Sequence, residues 1–187
     1  MREYRGSLDG QPLRVAIAVS RYNETITRGL LEGARAALAE CGVRPDAVDV
    51  AHVPGALELP VVARALALCG RYDAVVALGA VIRGETDHYA HVCAETARGC
   101  SQVALETGVP VGFGVLTCET LAQARDRAST PAKNKGGEAA RSAVETANLL
   151  ASLGPSRAGA GRKSARQPGR APARPTVRGA ASRGAAR

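Results

Sequence analysis

The run Ala74–Ile82 (AVVALGAVI) constrains the fold more than any other segment. It carries no charge and no hydrogen-bonding side chain. It is far too short for a membrane span, which needs roughly 20 apolar residues. It is also too uniformly apolar for a strand with one wet face. It reads as a β-strand buried on both faces, and such strands belong to parallel sheets covered by helices on each side.

The neighbouring segments follow the same alternation. Arg14–Ser20 (RVAIAVS) is a second short apolar, β-branched run, and Ala47–Val53 (AVDVAHV) alternates as a strand does. Ile26, Leu30, Ala34, Leu38 and Cys41 recur at helical spacing, with Gly42 as a C-cap. Leu57–Cys69 reads as a helix ending at Gly70. Asp87–Thr107 reads as one through Val92, Thr96, Cys100 and Val103, closed by Gly108. Val109–Leu116 reads as a strand, and Glu119–Ala128 and Gly137–Leu153 read as helices broken apart by Asn134, Gly136 and Gly137. Strand–helix–strand repetition predicts right-handed crossovers. It also places ligands beyond the carboxyl ends of the strands. Arg21–Asn23, Pro54–Glu58, Ala80–His88 and the segment from Phe113 onward fall there.

The formal charge of +8 suggests a nucleic-acid binder until it is located. Residues 151–187 carry nine Lys/Arg and no acid, while residues 1–150 carry 16 basic and 17 acidic groups. Residues 154–187 are mostly Ala, Arg, Gly, Pro and Ser, with Val177 as their one larger apolar residue, and are expected to be disordered. The sequence thus divides into an N-terminal arm (1–13), a catalytic domain (14–153) and a basic tail (154–187). The tail reads either as a solvated extension or as a segment binding an anionic partner through counterion release. Aromatic residues are scarce, with one Phe, four Tyr and no Trp, which disfavours a stacking surface for single-stranded nucleic acid. A polar N-terminus and the lack of a membrane span predict a cytoplasmic protein. Five scattered cysteines without a Cys-x-x-Cys predict buried thiols rather than a disulfide frame or a zinc site.

The richest segment chemically is Gly79-Ala-Val-Ile-Arg-Gly-Glu-Thr-Asp-His88. A buried strand ends there, Gly84 permits close backbone approach, and Thr86 suits a helix N-cap. The free N–H groups of a helix start attract phosphate or carboxylate. His88, in the first turn, sits where a second positive charge is disfavoured, and so reads either as a neutral general acid/base or as a surface side chain. His88 and His91 with Glu85 and Glu95 admit a metal site or an unrelated pair of helix side chains. Gly112-Phe-Gly114 lacks the third glycine of a dinucleotide fingerprint, because Thr117 stands in its place. Phe113 is then either core or a planar wall for an aromatic ligand. Arg127 suits bidentate phosphate binding. Lys135 and Glu138 can pair across one turn. Glu58 can bind a polar ring or face its own helix start.

Five pieces in order, covering about residues 10–152, resemble the 6,7-dimethyl-8-ribityllumazine synthase family. They are Arg21-Tyr-Asn23, Pro54-Gly-Ala-Leu-Glu-Leu-Pro60, Gly79–His88, Gly112-Phe-Gly-Val-Leu-Thr117 and Asn134-Lys-Gly-Gly-Glu-Ala-Ala140. The resemblance implies a three-layer α/β/α, flavodoxin-like fold with a four-stranded parallel sheet. It implies a transferase of riboflavin biosynthesis that condenses 5-amino-6-(D-ribitylamino)uracil with 3,4-dihydroxy-2-butanone 4-phosphate, with no cofactor and no metal. By family pattern Tyr22 and Phe113 flank the pyrimidine, and Ala56, Leu57 and Glu58 hold the ribityl chain. Ala80, Val81 and Ile82 offer backbone to the ring. Glu85 and Thr86 meet the phosphorylated substrate, Arg127 clamps its phosphate, and His88 carries protons. The family pattern also implies a homopentamer, or a larger assembly built from pentamers, with Phe113, Arg127 and Lys135 contributed across the subunit interface.

The chain departs from the pattern at Tyr22, where Phe or Trp is usual, at Pro131 and Lys133 before Asn134, and in the basic tail. Two alternatives carry the same motifs: a related riboflavin synthase, and a shell-forming assembly protein with vestigial catalytic residues.

Overall fold

The computed structural model describes residues 1–129 and 132–154. The expectations for residues 155–187 and for Pro131 lie outside that range. The elements run β1 (Val15–Ser20), α1 (Glu24–Glu40), β2 (Val48–Val53), α2 (Leu59–Leu68), β3 (Ala74–Ile82), α3 (His88–Thr107), β4 (Val111–Cys118), α4 (Leu121–Arg127) and α5 (Lys135–Ser152). The strands form one parallel sheet in the order β2-β1-β3-β4. This is the expected flavodoxin-like three-layer α/β/α arrangement. Among the described residues no helix is long and apolar enough to cross a membrane.

Strand alternation divides the core between the two layers. Val15, Ile17 and Val19 point to the α1/α5 side with Ile26, Leu30 and Val144. Ala16 and Ala18 point to the α2/α3 side, against Ala63, Ala67 and Val103 and against Leu59. The first seven residues of β3 are fully buried, as the apolar run predicts for a central strand. Gly108, at φ 68°, ends α3 in the left-handed conformation that a side chain disfavours. Residues 1–13 form no helix or strand. They are held to α5 by the Asn148 amide, which donates to the carbonyls of Ser7 (2.8 Å) and Asp9 (2.7 Å).

Several boundaries differ from the sequence expectation. The 56–58 segment is a separate 3-10 turn before α2, and β4 starts at Val111 and runs on to Cys118. Thr120 caps α4 by accepting from the Gln123 N–H at 3.2 Å, so that helix begins at Leu121. Thr86 is not a cap. Asp87 holds the N-cap position of α3 with a helical backbone and makes no side-chain cap bond. Gly136 and Gly137 do not break the chain either; they form the first turn of α5.

Their role is steric. A Cβ at Gly136 would stand 2.1 Å from the Leu30 carbonyl oxygen in α1, and one at Gly112 would stand 2.3 Å from the Ala139 carbonyl oxygen in α5. Helix α5 therefore packs backbone-close on both α1 and β4. Gly112 serves this approach and Gly114 makes room for the Leu78 side chain, so neither glycine is spent on a nucleotide loop. A side chain at such a contact forces backbone to move, which typically costs about 1–3 kcal/mol. Gly136→Ala is expected to lower the melting temperature clearly. Gly84→Ala, where nothing lies within 4 Å of the added carbon, should leave it nearly unchanged. Thermal unfolding of both variants checks the contrast.

Candidate active site

A cleft of about 300 Å³ opens beyond the carboxyl ends of β1, β2 and β3. Its walls come from Tyr22 and Asn23 after β1, Gly55–Glu58 after β2, Ala80–Ile82 in β3, and His88 and Val92 in α3. Strand β1 connects outward to β2 on one side, and β3 connects outward to β4 on the other. The cleft thus lies at the topological switch point of the sheet, where open α/β sheets hold ligands.

Unequal strand lengths create it. Pairing of β1 with β3 ends at Val19 opposite Leu78, whereas β3 and β4 stay paired as far as Ile82 opposite Cys118. The end of β3 therefore overhangs β1 with one backbone edge unpaired. The Asn23 side chain fills the first position of that edge. Its amide donates to the Ala80 carbonyl at 2.8 Å, from a residue in the left-handed conformation at φ 58°. Asn tolerates this region better than most residues. Ile82, two residues on, directs its backbone to the same side.

Tyr22 is 68% exposed, with its ring against Gly55. A Cβ at Gly55 would lie 2.9 Å from Tyr22 Cδ2 and 3.0 Å from Glu58 Oε2. The β1–β2 ladder is prolonged toward this point by the Tyr22 N–H, which donates to the Pro54 carbonyl at 3.0 Å. The Glu58 carboxylate accepts from the Gly55 N–H at 2.8 Å. One bond orients Glu58, and its other oxygen has lone pairs available to a hydroxyl-bearing ligand. Ala56 is buried and Leu57 exposed on the same turn.

His88 is the first residue of α3 and forms the rim of the cleft. Glu85 and Thr86 are exposed in the preceding loop and do not line the cleft. That loop is braced by Arg83. Its N–H donates to the Cys118 carbonyl at 2.9 Å, its guanidinium pairs with Glu119 at 2.6 Å, and it stacks over the Tyr89 ring at 4.5 Å. The start of α3 carries no side-chain cap, so its first N–H groups have no side-chain acceptor.

The structure does not bring the remaining predicted residues to this cleft. Phe113 lies on β4, Arg127 at the end of α4 and Lys135 at the start of α5. Phe113 is 42% exposed, which excludes the core reading within one chain. Arg127 donates to the Gln123 carbonyl at 3.1 Å and makes no ion pair among the described residues. Lys135 pairs with Glu138 at 2.7 Å. The described residues contain no cluster of three or more His, Cys, Asp or Glu placed to hold a metal.

Sequence reasoning missed Gly55, Val92 and the clamp made by Asn23. An Asn directly after a buried strand was the available signal for the last.

The cysteines only partly match expectation. Cys41, Cys100 and Cys118 are buried, Cys93 is half-buried, and Cys69 is exposed at the end of α2. Burial pushes the Cys100 thiol up to about 11, and raises those of Cys41, Cys93 and Cys118.

Fold and cleft together define a doubly wound α/β protein with a cleft of small-molecule size, assembled from loops at the switch point. A family model described as 6,7-dimethyl-8-ribityllumazine synthase matches residues 12–151. The chain belongs to that family, a family of transferases in riboflavin biosynthesis.

Thiolate is the reactive form of cysteine, so the raised thiols should react slowly. Mass mapping after brief iodoacetamide treatment at mildly alkaline pH is expected to find Cys69 alkylated first and Cys100 intact. Early labelling of Cys100 would contradict the packing of α3.

Proposed function

We propose that the chain condenses 5-amino-6-(D-ribitylamino)uracil with 3,4-dihydroxy-2-butanone 4-phosphate to 6,7-dimethyl-8-ribityllumazine, releasing phosphate and water. One observation carries this reading. In a chain matched by this family over residues 12–151, an aromatic face, an oriented carboxylate and an unpaired β-strand edge converge beside a histidine.

In this reading the pyrimidine stacks on Tyr22 and meets the backbone of Ala80, Val81 and Ile82. The edge at Ile82 is the open one, because Ala80 already accepts from Asn23. The ribityl hydroxyls run along Ala56, Leu57 and Glu58. Glu85, Thr86 and the start of α3 receive the phosphorylated substrate.

The chemistry suits so sparse a site. The 5-amino group attacks the ketone, and loss of water gives an imine. Loss of a proton and of phosphate forms an enol, which tautomerises to a ketone. The ribitylamino nitrogen attacks that carbonyl, and a second water leaves as the ring closes. Each step moves protons without net oxidation or reduction. Orientation of two bound substrates and one weak base supply the needed acceleration. His88, at the cleft rim beside the anion-binding loop, is the proton carrier.

Phe113, Arg127 and Lys135 stand outside the cleft of their own chain. We assign them to the cleft of a neighbouring copy in a homopentamer, where Phe113 closes the pyrimidine slot and Arg127 and Lys135 face the phosphate.

Mixing the two substrates with purified protein should give the absorbance of the lumazine product and stoichiometric phosphate. Turnover of lumazine alone would favour a riboflavin synthase instead, and no turnover at all a shell protein. His88→Ala should lower kcat by at least about tenfold. Arg127→Ala should chiefly raise KM for the phosphorylated substrate. Unchanged steady-state kinetics in both variants would contradict the site.

A further inference from the structure

Asn134, between α4 and α5, is 2% exposed and fully engaged. Its side-chain oxygen accepts from the N–H groups of Gly136 (3.0 Å) and Gly137 (3.2 Å), capping α5. Its side-chain nitrogen donates to the carbonyls of Gly29 in α1 (2.9 Å) and of Ala128 at the end of α4 (3.0 Å). Two donors face two carbonyls and the oxygen faces two N–H groups, so only one orientation of the amide satisfies the network.

Capping explains only half of this. A helix start needs one acceptor, which Ser, Thr or Asp supplies equally well. The two donor bonds are additional, and they tie the end of α4 to α1 and to the start of α5. The surroundings are shaped for this side chain. A Cβ at Gly33 would fall 2.1 Å from Asn134 Cγ, and one at Gly29 would fall 2.6 Å from the Ala128 carbonyl oxygen. The residues so joined adjoin two cations. Arg127 immediately precedes Ala128, and Lys135 immediately follows Asn134.

We infer that Asn134 is a positioning residue that fixes Arg127 and Lys135 relative to each other for a phosphate group. The inference rests on the function proposed above, in which these cations meet the phosphorylated substrate. Asn134 touches no substrate; it acts through the backbone on either side of the two cations. The exposed pair of Lys133 with Asp126 at 2.9 Å spans the same connection. It is too solvated to substitute for the buried tie.

Asn134→Asp and Asn134→Ser both keep an acceptor for α5 and lose the amide's two N–H donors; the shorter Ser hydroxyl offers at most one in their place. Each is tested as the full chain in its native assembly, beside Arg127→Ala. The readouts are KM for each substrate, kcat, inhibition by inorganic phosphate, and melting temperature. KM for the phosphorylated substrate and the phosphate inhibition constant should rise about tenfold, as misplacement of a binding group predicts. KM for the pyrimidine and kcat should stay within about twofold. A lowered melting temperature with both KM values unchanged, or both KM values raised together, would mark Asn134 as merely structural. Failure of both variants to assemble would overturn the inference in the same way. If Arg127→Ala also leaves the phosphorylated substrate's KM unchanged, the fault lies in the phosphate reading. If Arg127→Ala raises it and the Asn134 variants do not, the fault lies in this inference.

Discussion

The structure depends on β3 being paired along both edges for most of its length and along one edge at its end. Up to Leu78 it has β1 on one side and β4 on the other; beyond that only β4 continues. Full burial of the first part fixes the strand in the sheet, since its backbone groups are all satisfied and its side chains meet both helical layers. The overhang then presents backbone to whatever occupies the switch point. The loops that follow β1 and β2 need only turn toward this edge to enclose a cleft. They are drawn there by backbone bonds from Arg21 and Tyr22 to Val53 and Pro54, and by the Asn23 clamp on Ala80.

The other layer has a different physical basis. Helix α5 reaches α1 and β4 through backbone contacts that only glycine permits, at Gly136 and Gly112, while Gly33 makes room for the Asn134 side chain. Close packing fixes the start of α5, and the Asn134 amide ties it to α1 and to the end of α4. Ties on either side of Arg127 and Lys135 suit the proposed role of these cations, presenting two charges to one phosphate. Arg127 at the end of α4 and Lys135 at the start of α5 stand away from the cleft in their own chain. In the homopentamer proposed above, each interface would join one chain's cleft to the other chain's cations, which is how a ring of copies resolves their separation.

The apolar run of β3 made the parallel sheet legible in the sequence, and helical spacing made α1 and α3 legible. The cleft residues could be read because they cluster just after strand ends, where a doubly wound sheet holds ligands. What could not be read was steric or conformational. Gly136 and Gly137 look like chain breakers, and only the proximity of the Leu30 carbonyl shows why a helix begins with them. Thr86 has the chemistry of a cap, but α3 begins at His88, so the cap position falls one residue later at Asp87, whose side chain makes no cap bond. Asn23 needs a left-handed backbone to reach Ala80, and Asn134 needs contacts from residues more than a hundred positions away. Local pattern does not encode such distances. The location of Phe113, Arg127 and Lys135 outside the cleft of their own chain agrees with the family resemblance, which assigned them to a neighbouring subunit, though no local pattern encodes it.

The central claim is that one active site draws on two chains: His88 and the cleft from one, Arg127 from its neighbour. Co-expression of His88→Ala and Arg127→Ala chains, with kcat/KM measured on the mixed assembly, tests it most directly. Neither variant alone should turn over efficiently. Random mixing in a ring should restore about a quarter of the wild-type sites, because each interface then has one chance in four of pairing both intact halves. A mixed assembly no more active than the average of its two parents would show that His88 and Arg127 act within a single chain, and would contradict the account.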